Sequence, residues 1–433
     1  MKKHVRLVAM VVWGVGAWGS LGAWAGEPVK AEAEQAATQI RGLWRGVSVE
    51  HGYMTLPEAA ARQLVFAITE KTIAMRMSGK LVAETSYRLD VRQEPAVIEL
   101  TYQGEPTHGI CTRSGSTLKI CLTDVEKSRP KKFSIGGEGG RMLFVFTAAE
   151  EEYPLYAMDI DGTNRRRIVA KPDYTALGSP DWSRDGKRLA YDTWRPAYGE
   201  TYREAHVFVA NADGSECRDL GDGAMPSWSP DGKRLGMSRY SPNYGVWIMN
   251  ADGTGKELVD EGWSIEWCPK GNRVAYTTYR DGANILVRDL GKGEGRTLLD
   301  KDYRQIYWGM AWSPDGQWIA FKGITPDGKA ELAAVHVDGQ SKGFKILLPK
   351  AMPDVKDILW ASAWGGDGKR LIASLVGPKG GPRQLYFLDF AEKEPPQLVP
   401  GQDPTWANSE MAWSADGKKL AFRAMPPKSP AAK

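Results

Sequence analysis

The residues able to do chemistry are few and scattered. Apart from His4 near the start, the histidines are His51, His108, His206 and His336. Each falls in a different predicted element, so their spacing assembles no metal-ligand set. Hydrolysis or elimination on a polysaccharide would need converging histidines or carboxylates. The only hints of these are Asp181 and Glu266, which stand beside a repeated tryptophan and are equally accounted for as solvated loop charges. No Gly-x-Ser-x-Gly elbow, His-Glu-x-x-His, P-loop or Gly-x-Gly-x-x-Gly in a βαβ setting occurs. The many Asp-Gly pairs have hairpin spacing and lack the clustered oxygens of a calcium loop. No catalytic residue, metal site or cofactor is assigned.

Four cysteines stand at Cys111, Cys121, Cys217 and Cys268. Cys111 and Cys121 flank the turn Arg113-Ser114-Gly115-Ser116-Thr117 between two strand-like runs. A register summing to 232 sets them opposite each other, where an oxidising compartment permits a disulfide, and a one-residue slip forbids it. Cys217 and Cys268 are expected to be free and buried.

The elements that position these residues come from a sixfold repeat. Asp181-Trp182-Ser183-Arg184-Asp185-Gly186-Lys187-Arg188-Leu189-Ala190-Tyr191 returns around Trp228, Trp267, Trp312, Trp364 and Trp413, at intervals of 46, 39, 45, 52 and 49 residues. A period in the forties points to propeller blades of four strands. Asp-Gly turns the tryptophan strand directly into the Leu-Ala-Tyr strand. A third strand such as His206 to Ala210 and a short fourth such as Lys256 to Val259 follow. The last two strands of a blade occur once ahead of the first motif, at Leu155 to Asp159 and Arg167 to Val169. They complete a blade with the final motif, giving six blades over 149–425 closed by strands from both ends. A seventh blade is the alternative, if Arg141 to Phe146 is a propeller strand.

The Trp-Ser-Pro-Asp-Gly-Lys-x-[Leu/Ile/Val]-Ala-[Phe/Tyr] repeats resemble the WD40-like repeats of TolB-type β-propellers. The resemblance implies a periplasmic or exported propeller that binds other proteins, and the same propeller also accompanies peptidase domains. No hydrolase segment follows Phe422 here.

Ahead of the propeller, 41–148 alternates in a strand-like way through about eight segments, as a small antiparallel barrel would. Gly42-Leu43-Trp44-Arg45-Gly46, Pro95 to Leu100, Leu118 to Leu122 and Ser128 to Phe133 resemble a lipocalin-like domain abundant in planctomycete secreted proteins. That resemblance makes Arg141 to Phe146 the final barrel strand. It also makes Trp44 and Arg129 a cation–π pair closing the barrel floor. A filled barrel core is expected, with ligand carriage as the alternative.

Residues 1–25 read as a secretory signal. Lys2, Lys3 and Arg6 precede an apolar run from Leu7 to Trp18, and Ala23-Trp24-Ala25 offers a small-x-small cleavage site. An uncleaved anchor is the alternative. A lead segment covers 26–40 and a disordered tail 426–433. Composition agrees with an all-β globular protein, with 48 glycines, 26 prolines and 17 tryptophans, 42% hydrophobic and 25% charged residues. Without Lys2, Lys3 and Arg6 the balance is 54 bases to 53 acids. That gives no electrostatic footprint for nucleic acid or an anionic membrane.

Extra tryptophans stand four residues before three of the motif tryptophans: Trp263, Trp308 and Trp360. Tyr174, Tyr303 and Trp406 occupy the same connecting region of other blades. They form either an aromatic platform for a peptide or sugar, or wedges between blades. The fold class read from the sequence is all-β, a lipocalin-like barrel followed by a six-bladed propeller. The expected function is that of a periplasmic or secreted, monomeric, non-enzymatic protein recognising a protein or glycan through the propeller face. A polysaccharide-acting lyase or hydrolase at the channel mouth and a small-ligand carrier are the alternatives.

Overall fold

The computed structural model describes residues 40–427, apart from 52–53, 103–104, 124–128, 136–140, 150–152, 169–173, 197–199, 242, 301, 348–354 and 356. The signal, most of the lead segment and most of the tail lie outside the described residues. The chain divides near residue 150 into two compact units. No described helix is long and apolar enough to cross a membrane.

The first unit is an eight-stranded antiparallel barrel. Its strands are Gly42–His51, Leu64–Ile68, Thr72–Met77, Lys80–Asp90, Ala96–Tyr102, Glu105–Ser114, Thr117–Leu122 and Met142–Ala148, each paired with the next. Closure comes from the first strand meeting the last, from Trp44 opposite Ala148 to His51 opposite Met142. Inward positions carry Trp44, Phe66, Ile73, Leu118, Ile120, Phe144 and Phe146. Phe66 and Phe146 meet at 4.5 Å between ring centroids. Eight strands enclose a space that such side chains fill.

Two expectations are corrected here. Ser114 pairs with Thr117, and Cys111 with Ile120, so the hairpin turns on two residues and its register sums to 231. Gly115 supplies the positive φ of 56° that a two-residue turn needs. The slip sends Cys111 into the barrel core and Cys121 to the opposite face beside Ile110 and Leu143, and both thiols are free. Reducing agent is therefore expected to leave the melting temperature unchanged, where loss of a native disulfide would cost about 2 to 5 kcal/mol. The second correction concerns Trp44. The guanidinium over its ring is that of Arg113, at 5.3 Å, while Arg129 is exposed. Trp44 itself donates its indole N–H to Ile40 O at 2.7 Å.

The second unit is a six-bladed propeller. Blade 1 comprises Ala176–Trp182, Arg188–Trp194, His206–Asn211 and Arg218–Asp222. Blades 2, 3, 4 and 5 repeat it from Ala224, Trp263, Gln305 and Asp357 onwards. Blade 6 is composite: Ala407–Trp413 and Lys419–Met425 pair with Leu155–Asp159 and Arg166–Ile168 from the beginning of the unit. Leu155 faces Arg423 and Asp159 faces Lys419.

The repeated motif explains how each hairpin forms and how blades join. The Ser183 hydroxyl donates to Asp185 at 2.6 Å and accepts the Arg188 N–H at 2.9 Å. The Asp185 carboxylate also accepts the Lys187 N–H. Ser229 with Asp231 and Ser414 with Asp416 repeat this turn, and the serine hydroxyl holds all three carboxyls below their ordinary range. In every blade but the fourth, a basic residue six places after the motif tryptophan then lies over the tryptophan of the next blade. Arg188 covers Trp228 at 4.3 Å, Arg234 covers Trp267 at 4.8 Å and Arg370 covers Trp413 at 5.4 Å. Lys419 covers Trp182 at 5.8 Å and so carries the series across the seam. Each such contact contributes about 0.5 to 1 kcal/mol.

Candidate functional site

The innermost strands are bulged three residues before the motif tryptophan. Ser179, Met225, Ser264, Gly309 and Glu410 all adopt positive φ, between 42° and 77°. Only one is glycine. A left-handed conformation costs the other four about 1 to 2 kcal/mol each and persists because the surroundings hold it. Neighbouring blades do that by capturing the N–H of the bulged residue. Ser179 donates to Glu410 at 2.9 Å, Met225 to Asp192 at 2.9 Å, Ser264 to the Ser238 hydroxyl at 2.7 Å and Gly309 to the Ser264 hydroxyl at 3.0 Å. Asp192 and Ser238 each stand ten residues after a motif tryptophan. At the same place in blades 4, 5 and 6, Lys322, Ser374 and Arg423 donate to Ile358 O, Asn408 O and Leu177 O of the next blade.

The position just before the tryptophan lines the channel. Blades 1 to 3 place Asp181, Ser227 and Glu266 there, and blades 4 to 6 place Ala311, Ala363 and Ala412. Asp181 Oδ2 accepts the backbone N–H of Trp228 at 2.6 Å, and the Ser227 hydroxyl accepts that of Trp267 at 3.0 Å. Among the described residues, the indole N–H groups of Trp228 and Trp267 are buried without a partner. Those of Trp182, Trp312 and Trp364 donate to Ala412 O, Glu266 O and Ala311 O.

These inner strands enclose a cavity of about 210 Å³. Its walls include the motif tryptophans, several prolines, Met225, Met310 and Met411, and its charged members are Asp181, Glu266, Glu410 and Arg184. Glu410 is neutralised by Arg423 at 2.7 Å. Asp181 and Glu266 have no ion-pair partner among the described residues. Burial raises the Asp181 carboxyl. Burial and then the charge of Asp181 raise Glu266. Behind the wall, Asp192 is pushed up to about 6 by burial and then by Glu410.

The sequence-predicted aromatic residues do not form one platform. Trp263 and Trp308 share a cluster with Tyr240, Ala224 and Met225. Tyr174 is buried against Phe208, Tyr303 is buried against Phe321 with its hydroxyl on Glu331, and half-buried Trp406 packs on Tyr156. The Trp360 side chain lies outside the described residues. Sequence reasoning missed the tyrosines that complete the first cluster. Tyr240 packs on Trp263 at 4.3 Å, Tyr244 stacks on Trp263 at 5.8 Å and 7°, and Tyr202 meets Tyr240 at 5.6 Å. Tyr202, Tyr244 and Tyr279 are 40%, 45% and 51% exposed. All these tyrosines lie between the second and third strands of their blades, a recurrence that the sequence does carry.

The histidines stay apart. His206 Nδ1 lies 2.9 Å from Asp219 and its Nε2 lies 3.3 Å from Asp222. His336 packs edge-on against Trp318. Among the described residues, no group of three or more His, Cys, Asp or Glu could hold a metal ion.

No protein-family model and no curated protein matches the chain. Solved structures do. One is a putative TolB from Agrobacterium tumefaciens, 18% identical, covering 64% of this chain and 100% of that one with a TM-score of 0.49. TolB from Acinetobacter baumannii is 15% identical over 73% and 80%, with a TM-score of 0.43. An oligogalacturonate lyase in complex with manganese is 13% identical over 79% and 97%, with a TM-score of 0.37. The first two are TolB-type propellers. At these identities the likeness is one of fold and assigns no activity.

Proposed function

We propose that the chain is an exported, non-enzymatic binding protein, with a barrel domain over 41–148 and a propeller domain over 149–425. In this reading it works in the periplasm or outside the cell, and the propeller recognises a protein or glycan. The observation that carries the proposal is the tyrosine face around Trp263. Rigid rings that are half-exposed yet locked against one another offer contact area at little entropic cost. Among the described residues, the other exposed large apolar side chains of the propeller, Leu258, Ile346 and Leu398, stand on separate outer strands. The barrel is the weaker candidate, because its interior is filled by the aromatic core described above.

The test compares the wild type with a Tyr202→Ser/Tyr244→Ser variant in capture from an envelope extract and on a glycan array. The variant is expected to lose about thirty-fold in affinity for whatever the wild type retains, as central interface aromatics do. Its melting temperature should fall by no more than a few degrees, since both rings are partly exposed and lose only their contacts with Tyr240 and Trp263. Equal retention by the two proteins would refute a tyrosine-face site.

A further inference from the structure

Half of the channel ring is polar and half is alanine. Asp181, Ser227 and Glu266 occupy equivalent places in three consecutive blades and line one cavity. We propose that this cavity binds one organic ammonium group, such as the end of a lysine side chain, between the carboxylates of Asp181 and Glu266.

Four observations support an organic cation. Two carboxylates without a counter-ion face a low-dielectric space, where a bound cation interacts far more strongly than at the surface. An ammonium donates hydrogen bonds and accepts none, and the carboxylates of Asp181 and Glu266, when ionised, accept and do not donate. Indole and proline walls suit the alkyl stem that carries an ammonium. A cavity of about 210 Å³ has room for a butylammonium group. A divalent metal fits less well. Calcium takes six to eight oxygens and zinc four ligands, and among the described residues no group of three His, Cys, Asp or Glu could hold a metal.

Binding should also release protons. Burial shifts both acids toward their protonated forms, at Glu266 with the charge of Asp181 added, and a bound ammonium shifts them back toward the ionised forms. The other charged groups nearby are already matched or lie apart. Glu410 pairs with Arg423, buried Asp192 binds the Met225 N–H, and Arg184, also on the cavity wall, is exposed. The cavity shares Met225 and Trp308 with the cluster under the tyrosine face, but the acids that define it lie outside that cluster and are tested apart from it.

The experiment is calorimetric titration of the full protein at pH 7.5, in two buffers of different ionisation enthalpy. The probes are n-butylamine, Nα-acetyl-lysine methylamide, the matching norleucine amide, and Ca²⁺. Expected are saturable binding of both ammonium probes with buffer-dependent heat, and none of the norleucine amide. Glu266→Gln and Asp181→Asn should each weaken binding by about thirty-fold, the effect of removing one partner of a buried charge pair. Both variants keep the shape of the wall. Binding of the norleucine amide as tight as that of the lysine amide, unchanged affinity in the Gln and Asn variants, or uptake of Ca²⁺ in place of the amines would each overturn the proposal.

Discussion

Replacing Arg423 with leucine is expected to lower the melting temperature of the protein by about 10 °C. The side chain is 8% exposed and joins the last blade to the first. Its Nε donates to Leu177 O at 2.8 Å, its NH1 lies 2.7 Å from Glu410 Oε1, and its guanidinium covers Tyr153 at 5.1 Å. Removing one member of a buried ion pair typically costs about 3 to 5 kcal/mol, because the other charge is left without compensation. Here the loss also removes the cation that opposes the rise of Asp192. In a unit of this size each kcal/mol moves the midpoint by about 2 to 4 °C. Adding Glu410→Gln should restore part of the loss, since the amide still accepts from Ser179 N–H and leaves no unpaired charge. A loss below about 3 °C in the single variant would mean that strand pairing between Leu155–Asp159 and Lys419–Met425 holds the seam without this contact.

The seam itself was legible in the sequence, and the reason is local. Asp-Gly turns and serine caps act within five residues, so each hairpin declares itself. Counting half-blades then forces the orphan strands at 155–159 and 419–425 together. What escaped depends on distances the sequence does not display. The two-residue turn at Gly115 shifts Cys111 away from Cys121, although a three-residue turn reads equally well. Arg113 covers Trp44 only because a barrel brings its first and sixth strands within reach. The inner-strand bulges left no trace outside Gly309, because Ser179, Met225, Ser264 and Glu410 are poor predictors of positive φ. Asp181 and Glu266 were visible as acids beside a motif. That they share one cavity follows from the curvature of the ring across two blades.

That shared cavity leads to the second large effect, which has the opposite sign. The Asp181→Asn/Glu266→Gln double variant is expected to be more stable than the wild type at pH 8 and equal to it at pH 4. Burial pushes Asp181 up to about 7, and burial together with Asp181 raises Glu266. A carboxyl whose folded pKa is raised costs nothing below the ordinary carboxylate range, where both states are protonated. As the pH rises, the unfolded chain ionises first, so stability falls between about pH 4 and the raised folded values. The amides remove that loss while keeping the acceptors for Trp228 N–H and the contact with Ser227. Each carboxyl keeps some exposure to the cavity, so the gain at pH 8 is a fraction of the full linkage, about 2 kcal/mol or roughly 5 °C. Thermal melts at pH 4, 6 and 8 check it, and a gain of equal size at every pH would trace the effect to packing instead of charge. A fold that keeps two unpaired acids in its channel at such a cost has a less stable resting state than its amide variant. That is the pattern of a site kept for a ligand, because the same substitutions that raise stability should abolish ammonium binding.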